Sequence, residues 1–208
     1  MVRRKQKKNQ WLQQQRKDNY IRQAQQQGYR SRAVFKLQEI DQRDRLISRG
    51  MRVLELGAAP GGWSQYTAGK VGHQGLVVAV DLIAMKPLPN VHIIHGDFTD
   101  AGVQRGLVDV LGTADLVLSD MAPNITGIRD VDQAHFLDLI ESTLNLAGGM
   151  LRQGGDMLLK VFEGPEIKAF RRRCESDFGQ VQVRKPSASR SKSSEYYLLA
   201  RGYLGNYD

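Results

Sequence analysis

Val53-Leu54-Glu55-Leu56-Gly57-Ala58-Ala59-Pro60-Gly61-Gly62-Trp63 decides how the rest of the chain is read. A short apolar run ends at Gly57, and a glycine-rich loop then feeds a new segment. This is the pattern of a strand, a tight turn and a helix N-terminus, which cradles a nucleotide-like ligand at the carboxyl edge of a parallel sheet. Glycines belong at Gly57, Gly61 and Gly62 because a side chain there would obstruct either the turn or the ligand's approach to backbone.

Two familiar ligand classes are disfavoured by what the loop lacks. A dinucleotide fingerprint needs glycine two positions after Gly57, where Ala59 stands. A phosphate loop has the spacing of Gly57 to Gly62 but needs lysine next, and Trp63 occupies that position. With no cation placed to meet a triphosphate or pyrophosphate, the loop suits a nucleoside without phosphates, of which S-adenosylmethionine is the commonest cofactor. A βα turn with no ligand is the plainer alternative.

The 208 residues are read as one domain from 18 to 208, preceded by a basic, flexible arm over 1–17. No run of about 18 apolar residues is present, so a membrane span is not expected. The glutamine-rich, basic N-terminus lacks the apolar core of a secretory signal. A single cysteine, Cys174, precludes an internal disulfide and fits a reducing cytoplasm. Residues 1–36 hold eleven Lys and Arg against one acid, Asp18, for a charge of +10; with +8 over the whole chain, the remainder carries −2. A basic arm on a near-neutral body points to a polyanionic partner, nucleic acid before membrane.

Tyr20, Ile21 and Ala24 have the spacing of a weak amphipathic helix, broken at Gly28. Ser31 is a candidate N-cap for a helix that turns Ala33, Val34, Leu37 and Ile40 inward. Lys36 falls at the margin of that face, placed either to snorkel to water or to reach over a pocket rim. Apolar runs at 52–56, 76–82, 91–95, 115–119 and 156–162 alternate with helix-length segments, the longest from about Asp130 to Leu151, with Gly154-Gly155 as the turn into the following strand. Such alternation predicts an α/β, doubly wound, Rossmann-like fold. Val181-Gln182-Val183 and Tyr196 to Ala200, joined without a helix, predict an antiparallel addition at the edge. The expected sheet is mainly parallel and seven-stranded with an antiparallel C-terminal strand, the layout of class I methyltransferases.

Ligands of such sheets bind beyond the carboxyl ends of the strands. Asp81 ends the second strand, where one carboxylate can accept both hydroxyls of a ribose. Asp97 follows the third and could accept from an adenine amino group, with Phe98 flanking the ring; turn chemistry after Gly96 is the alternative. Asp120 ends the fourth, ahead of Met121-Ala122-Pro123-Asn124. Lys160 interrupts the apolar fifth strand, and a lysine there needs a partner or a purpose. Glu195 opens the last strand. His73, His92, His95 and His135 form no metal-ligand spacing with Cys174, so no metal is expected.

The basic arm, Gly28-Tyr29-Arg30-Ser31-Arg32-Ala33-Val34-Phe35-Lys36-Leu37, the 56–65 loop, Ser119-Asp120-Met121-Ala122-Pro123-Asn124 and Leu159-Lys160-Val161-Phe162 together resemble the FtsJ/RrmJ (RlmE) family of ribosomal RNA 2′-O-methyltransferases. The likeness runs from about Trp11 to Gly202. It implies a catalytic tetrad at Lys36, Asp120, Lys160 and Glu195. It also implies cofactor contacts at Gly61, Trp63, Asp81, Asp97 and Asp120. The implied substrate is a uridine ribose of large-subunit (23S) ribosomal RNA, met on the assembled 50S subunit by a monomeric enzyme. Lys160 is expected either to orient or to deprotonate the 2′-hydroxyl. The arm, Arg30, Arg32, Arg184, Lys185, Arg190 and Lys192 are expected to contact phosphates. The alternatives are a 2′-O-methyltransferase of tRNA or an mRNA cap, and a non-catalytic RNA-binding ribosome assembly factor.

Overall fold

A computed structural model describes residues 19–123, 126–189 and 194–205. The arm over 1–17, Arg190 and Lys192 lie outside the described residues. A helix over 19–26 (α1) precedes α2 (Val34–Asp44), β1 (Arg52–Leu56), α3 (Gly62–Val71), β2 (Leu76–Asp81) and β3 (Val91–His95). There follow α4 (Ala101–Leu111), β4 (Ala114–Ser119), α5 (Arg129–Met150), β5 (Leu151–Phe162), α6 (Ile167–Asp177), β6 (Phe178–Arg184) and β7 (Glu195–Tyr203).

The strands form one sheet in the order β3-β2-β1-β4-β5-β7-β6. β7 alone runs antiparallel to its neighbours, β5 and β6. The expected architecture is thus the observed one. Strand order reverses between β1 and β4, whose carboxyl ends open the crevice where ligands of doubly wound sheets bind.

Both sheet faces are covered, which is why the central strands read as nearly unbroken apolar runs. Val53, Leu116, Leu118 and Leu158 face Leu37 and Ile40 of α2 and Trp63, Ala68 and Val71 of α3. Leu54, Val117, Met157 and Leu159 face Leu107, Phe136, Ile140, Ala147 and Phe170 from α4, α5 and α6. Ala24 of α1 joins Val34 and Phe35 in a smaller cluster, and the Tyr20 ring lies 5.4 Å from that of Phe35.

Two local expectations differ. Ser31 does not cap α2 directly: its Oγ accepts from Ala33 N at 3.0 Å in the preceding turn, and the helix starts at Val34. β5 begins at Leu151 rather than after Gly154-Gly155. Its pairing with β4 jumps from Ala114↔Leu151 to Leu116↔Asp156, so the intervening residues bulge from the ladder, with Gly154 at φ 77°.

Candidate active site

The loop after β1 is shaped by its glycines. Gly57 has φ 71° and sits where a Cβ would run into the Met121 side chain; Gly61 has φ 104°. Both values lie in the region where a side chain is strained. A cavity of about 670 Å³ opens beside this loop. Gly57, Asp81, Asp97, Phe98 and Asp120 all line it, joined by Met121, Pro123 and the α5 residues His135, Asp138 and Ser142.

Asp81 holds the loop while facing the cavity: Oδ2 accepts from Ala59 N at 2.8 Å and Oδ1 from Ile83 N at 2.7 Å. Each oxygen keeps a second lone pair for a ligand hydroxyl. Asp97 does carry turn chemistry, since Oδ1 accepts from Thr99 N at 2.8 Å and Thr99 Oγ1 at 2.7 Å. Those two bonds, the backbone one foremost, hold its carboxyl below the usual range. Its Oδ2 takes no protein donor among the described residues. No lysine or arginine appears among the described residues lining the cavity. Carboxylates, apolar side chains and a glycine cradle therefore fit a phosphate-free nucleoside carrying a cation.

Trp63 and Gly62 are placed differently from the other expected contacts. The indole is buried in the core, donates Nε1–H to Ala33 O at 2.8 Å, and stacks 5.8 Å from Tyr197. Its side chain is outside the cavity lining, as are Gly61 and Gly62. A Cβ on Gly62 would come within 2.9 Å of Ser31 Cβ, so that glycine admits the 28–33 segment.

Lys36, Asp120, Lys160 and Glu195 come from α2, the end of β4, β5 and the start of β7, and they form two linked ion pairs. Lys160 Nζ lies 3.2 Å from Asp120 Oδ1 and also donates to the Asp120 carbonyl. Lys36 Nζ lies 2.5 Å from Glu195 Oε1, which also accepts from Ser189 Oγ at 2.9 Å. Both lysine side chains are about nine-tenths buried. Burial pushes the Glu195 carboxyl up, but Lys36, Ser189 and Lys160 together outweigh it and hold the acid below its ordinary value. β5–β7 pairing sets Lys160 opposite Tyr197 and Phe162 opposite Glu195, which brings the tetrad to one rim.

A family model of FtsJ-like methyltransferases matches residues 29–203. The chain belongs to the FtsJ-like methyltransferase family. It is 51% identical over 195 residues to ribosomal RNA large subunit methyltransferase E of Alkalilimnicola ehrlichii, covering 93% of each chain. To the protein of the same name from Pseudomonas aeruginosa it is 46% identical over 197 residues, covering 94% of this chain and 95% of that one. Among solved structures, a ribosomal RNA methyltransferase of Plasmodium falciparum matches with a TM-score of 0.77 at 26% identity, covering 86% of this chain and all of that one.

Of the arginines expected at RNA, Arg184 is committed elsewhere and its assignment is corrected, while Arg30 also makes contacts within the fold. Arg184 is buried and donates to both oxygens of Asp44, Nε to Oδ2 and Nη2 to Oδ1, each at 2.7 Å. Arg30 donates to the carbonyls of Pro60, Lys86 and Pro87, which fastens the basic segment to the glycine loop. Arg32 is half-buried and Lys185 exposed. Tyr197 was missed: its hydroxyl donates to Asp120 Oδ1 at 2.6 Å. A tyrosine in an apolar strand reads as core, and only the pairing across from Lys160 reveals its reach. The α5 residues of the cavity carry no signal in sequence, because they lie on the polar side of an otherwise ordinary helix.

Proposed function

We propose that this methyltransferase carries a methyl group from S-adenosylmethionine to the 2′-hydroxyl of a uridine in large-subunit ribosomal RNA, acting in the cytoplasm on the assembled subunit. The observation that carries this reading is the Lys160–Asp120 pair, set at the mouth of a cavity whose lining suits a nucleoside cation. The names of the curated relatives support the substrate class. When bound, S-adenosylmethionine supplies a methyl on a sulfonium, already a good leaving group. The chain's own residues then have a ribose to position and one proton to handle.

Gly57, Asp81, Asp97, Phe98 and Asp120, which line the cavity, would hold the nucleoside. Lys160 is the residue that engages the ribose. A neutral amine has two N–H groups and one lone pair. Asp120 offers two acceptors, its carbonyl and Oδ1, for the two N–H groups. The lone pair is then left to take the 2′-hydroxyl proton as the oxygen attacks. Glu195 keeps Lys36 in place and offsets part of its charge.

The test is transfer of labelled methyl from cofactor to unmethylated large ribosomal subunits, followed by digestion to nucleosides. Label in 2′-O-methyluridine is expected. Label confined to a base, or transfer only to tRNA, would overturn the reading.

A further inference from the structure

Two cavities meet at the segment after β4. Ala122 and Pro123 line the cofactor cavity on one side and a second cavity, of about 410 Å³, on the other. The remaining walls of the second come from the N-terminal half of α5 and the turn after β5. It holds two aromatic rings, Phe136 and Phe162, packed edge to face at 5.3 Å. Lys160 Nζ stands 6.0 Å from the centroid of the Phe162 ring. A ribose whose 2′-oxygen meets Lys160 therefore has this cavity within reach of its base.

The rim is polar and acidic. Gln133 Nε2 donates to Glu166 Oε2 at 3.3 Å, and Glu163 lies alongside. Carboxylates repel phosphate, so the cavity does not suit the RNA backbone. They do accept from ring N–H groups, while the Gln133 amide also donates to a carbonyl. An aromatic ring to stack on and hydrogen-bonding groups at the edge are how proteins hold a base drawn out of its stack.

We propose that the Phe136–Phe162 cavity receives the nucleobase of the ribose being methylated, with Gln133 and Glu166 contacting its edge. This rests on Lys160 being the group that meets the 2′-hydroxyl. Uracil presents a ring N–H between two carbonyls and finds both an acceptor and a donor. Cytosine presents a lone pair at the same ring position and would set it against the carboxylate, which disfavours it.

The experiment measures labelled methyl transfer to unmethylated large ribosomal subunits by the wild-type protein and by Phe162→Ala, Phe162→Tyr and Gln133→Ala. A second set of subunits carries cytidine in place of the modified uridine. Phe162→Ala is expected to lower kcat/KM about ten-fold or more, the loss typical of removing a base-stacking ring. Its cofactor Kd should stay within about twofold, and Phe162→Tyr should restore most activity. Gln133→Ala, half-buried and outside the core, should narrow the preference for uridine over cytidine. A kcat/KM within about twofold of wild type in Phe162→Ala, or a parallel loss of cofactor affinity, would overturn the proposal. Were the wild-type protein to label no ribose, the functional reading itself would fall; if it labels ribose and the variants match it, only the base pocket falls.

Discussion

Tyr197 donates a 2.6 Å hydrogen bond to Asp120 Oδ1, the oxygen that also faces Lys160 Nζ at 3.2 Å. Burial first, and then the charge of Asp120, raise the Tyr197 phenol well above its ordinary value, so it stays a donor throughout the working pH range. The acid that orients Lys160 is therefore itself held by a group from β7, packed against Trp63 of α3. Removing the hydroxyl while keeping the ring isolates this role. Hydrogen bonds to charged groups contribute about 1.5–3 kcal/mol. Tyr197→Phe should therefore lower kcat about ten-fold or more, with cofactor affinity little changed. Normal turnover at saturating substrates would leave Tyr197 a packing residue only.

Glu55 lies mid-strand in β1, fully buried, and its Oε2 has no hydrogen-bond partner among the described residues. Burial pushes its carboxyl up to about 8 from an ordinary 4.5, with the nearby charge of Asp120 adding in the same direction. Below the ordinary value both folded and unfolded chains bind the proton, and Glu55 carries no pH dependence. From there to about 8 the unfolded chain releases the proton and the folded one keeps it. Stability should therefore fall by up to about 1.4 kcal/mol per pH unit across that window, with no further loss above it. Glu55→Gln should flatten this slope and be the more stable protein at pH 8. Urea unfolding at several pH values reads both; parallel slopes for variant and wild type would rule the effect out.

The parts of the site that were legible in sequence are those fixed by local demands or by topology. The positive φ values of Gly57 and Gly61 are requirements of the turn itself. Asp81, Asp97 and Asp120 follow strands whose carboxyl ends a doubly wound sheet gathers on one edge. Lys160 stood out as a charge within a strand that otherwise reads as apolar, whereas Glu195 read as an ordinary edge charge and was singled out only by the family resemblance. Long side chains were less legible, because whether they meet a ligand or their own fold depends on distant partners. Arg184 pairs with Asp44, 140 positions earlier. Trp63 turns into the core because Ala33, just ahead of α2, supplies its carbonyl. The early start of β5 was hidden for a similar reason: a bulge reads as a turn when its neighbouring strand is unseen.

The contrast between Arg184 and Arg32 can be measured. Each phosphate contact contributes about 0.7–0.9 to the slope of log affinity against log salt. Arg32→Ala should reduce that slope for ribosomal RNA by about this amount. Arg184→Ala should leave the slope unchanged in protein kept folded at low temperature, yet lower stability by about 3–5 kcal/mol, because it strands the carboxylate of Asp44. A reduced salt slope in Arg184→Ala would return that residue to the RNA surface.

Lys160 offers the sharpest distinction between orienting a ribose and taking its proton. Arginine keeps a positive charge and donor groups but does not give up a proton in proteins. If the neutral amine is the working form, Lys160→Arg should be nearly as inactive as Lys160→Ala, with both losing about 10²–10⁴ in kcat. Cofactor affinity, measured separately by titration, should remain within a few-fold in both variants. An arginine variant within about ten-fold of wild type would instead make Lys160 an orienting ammonium. Proton removal would then belong to Asp120 or solvent.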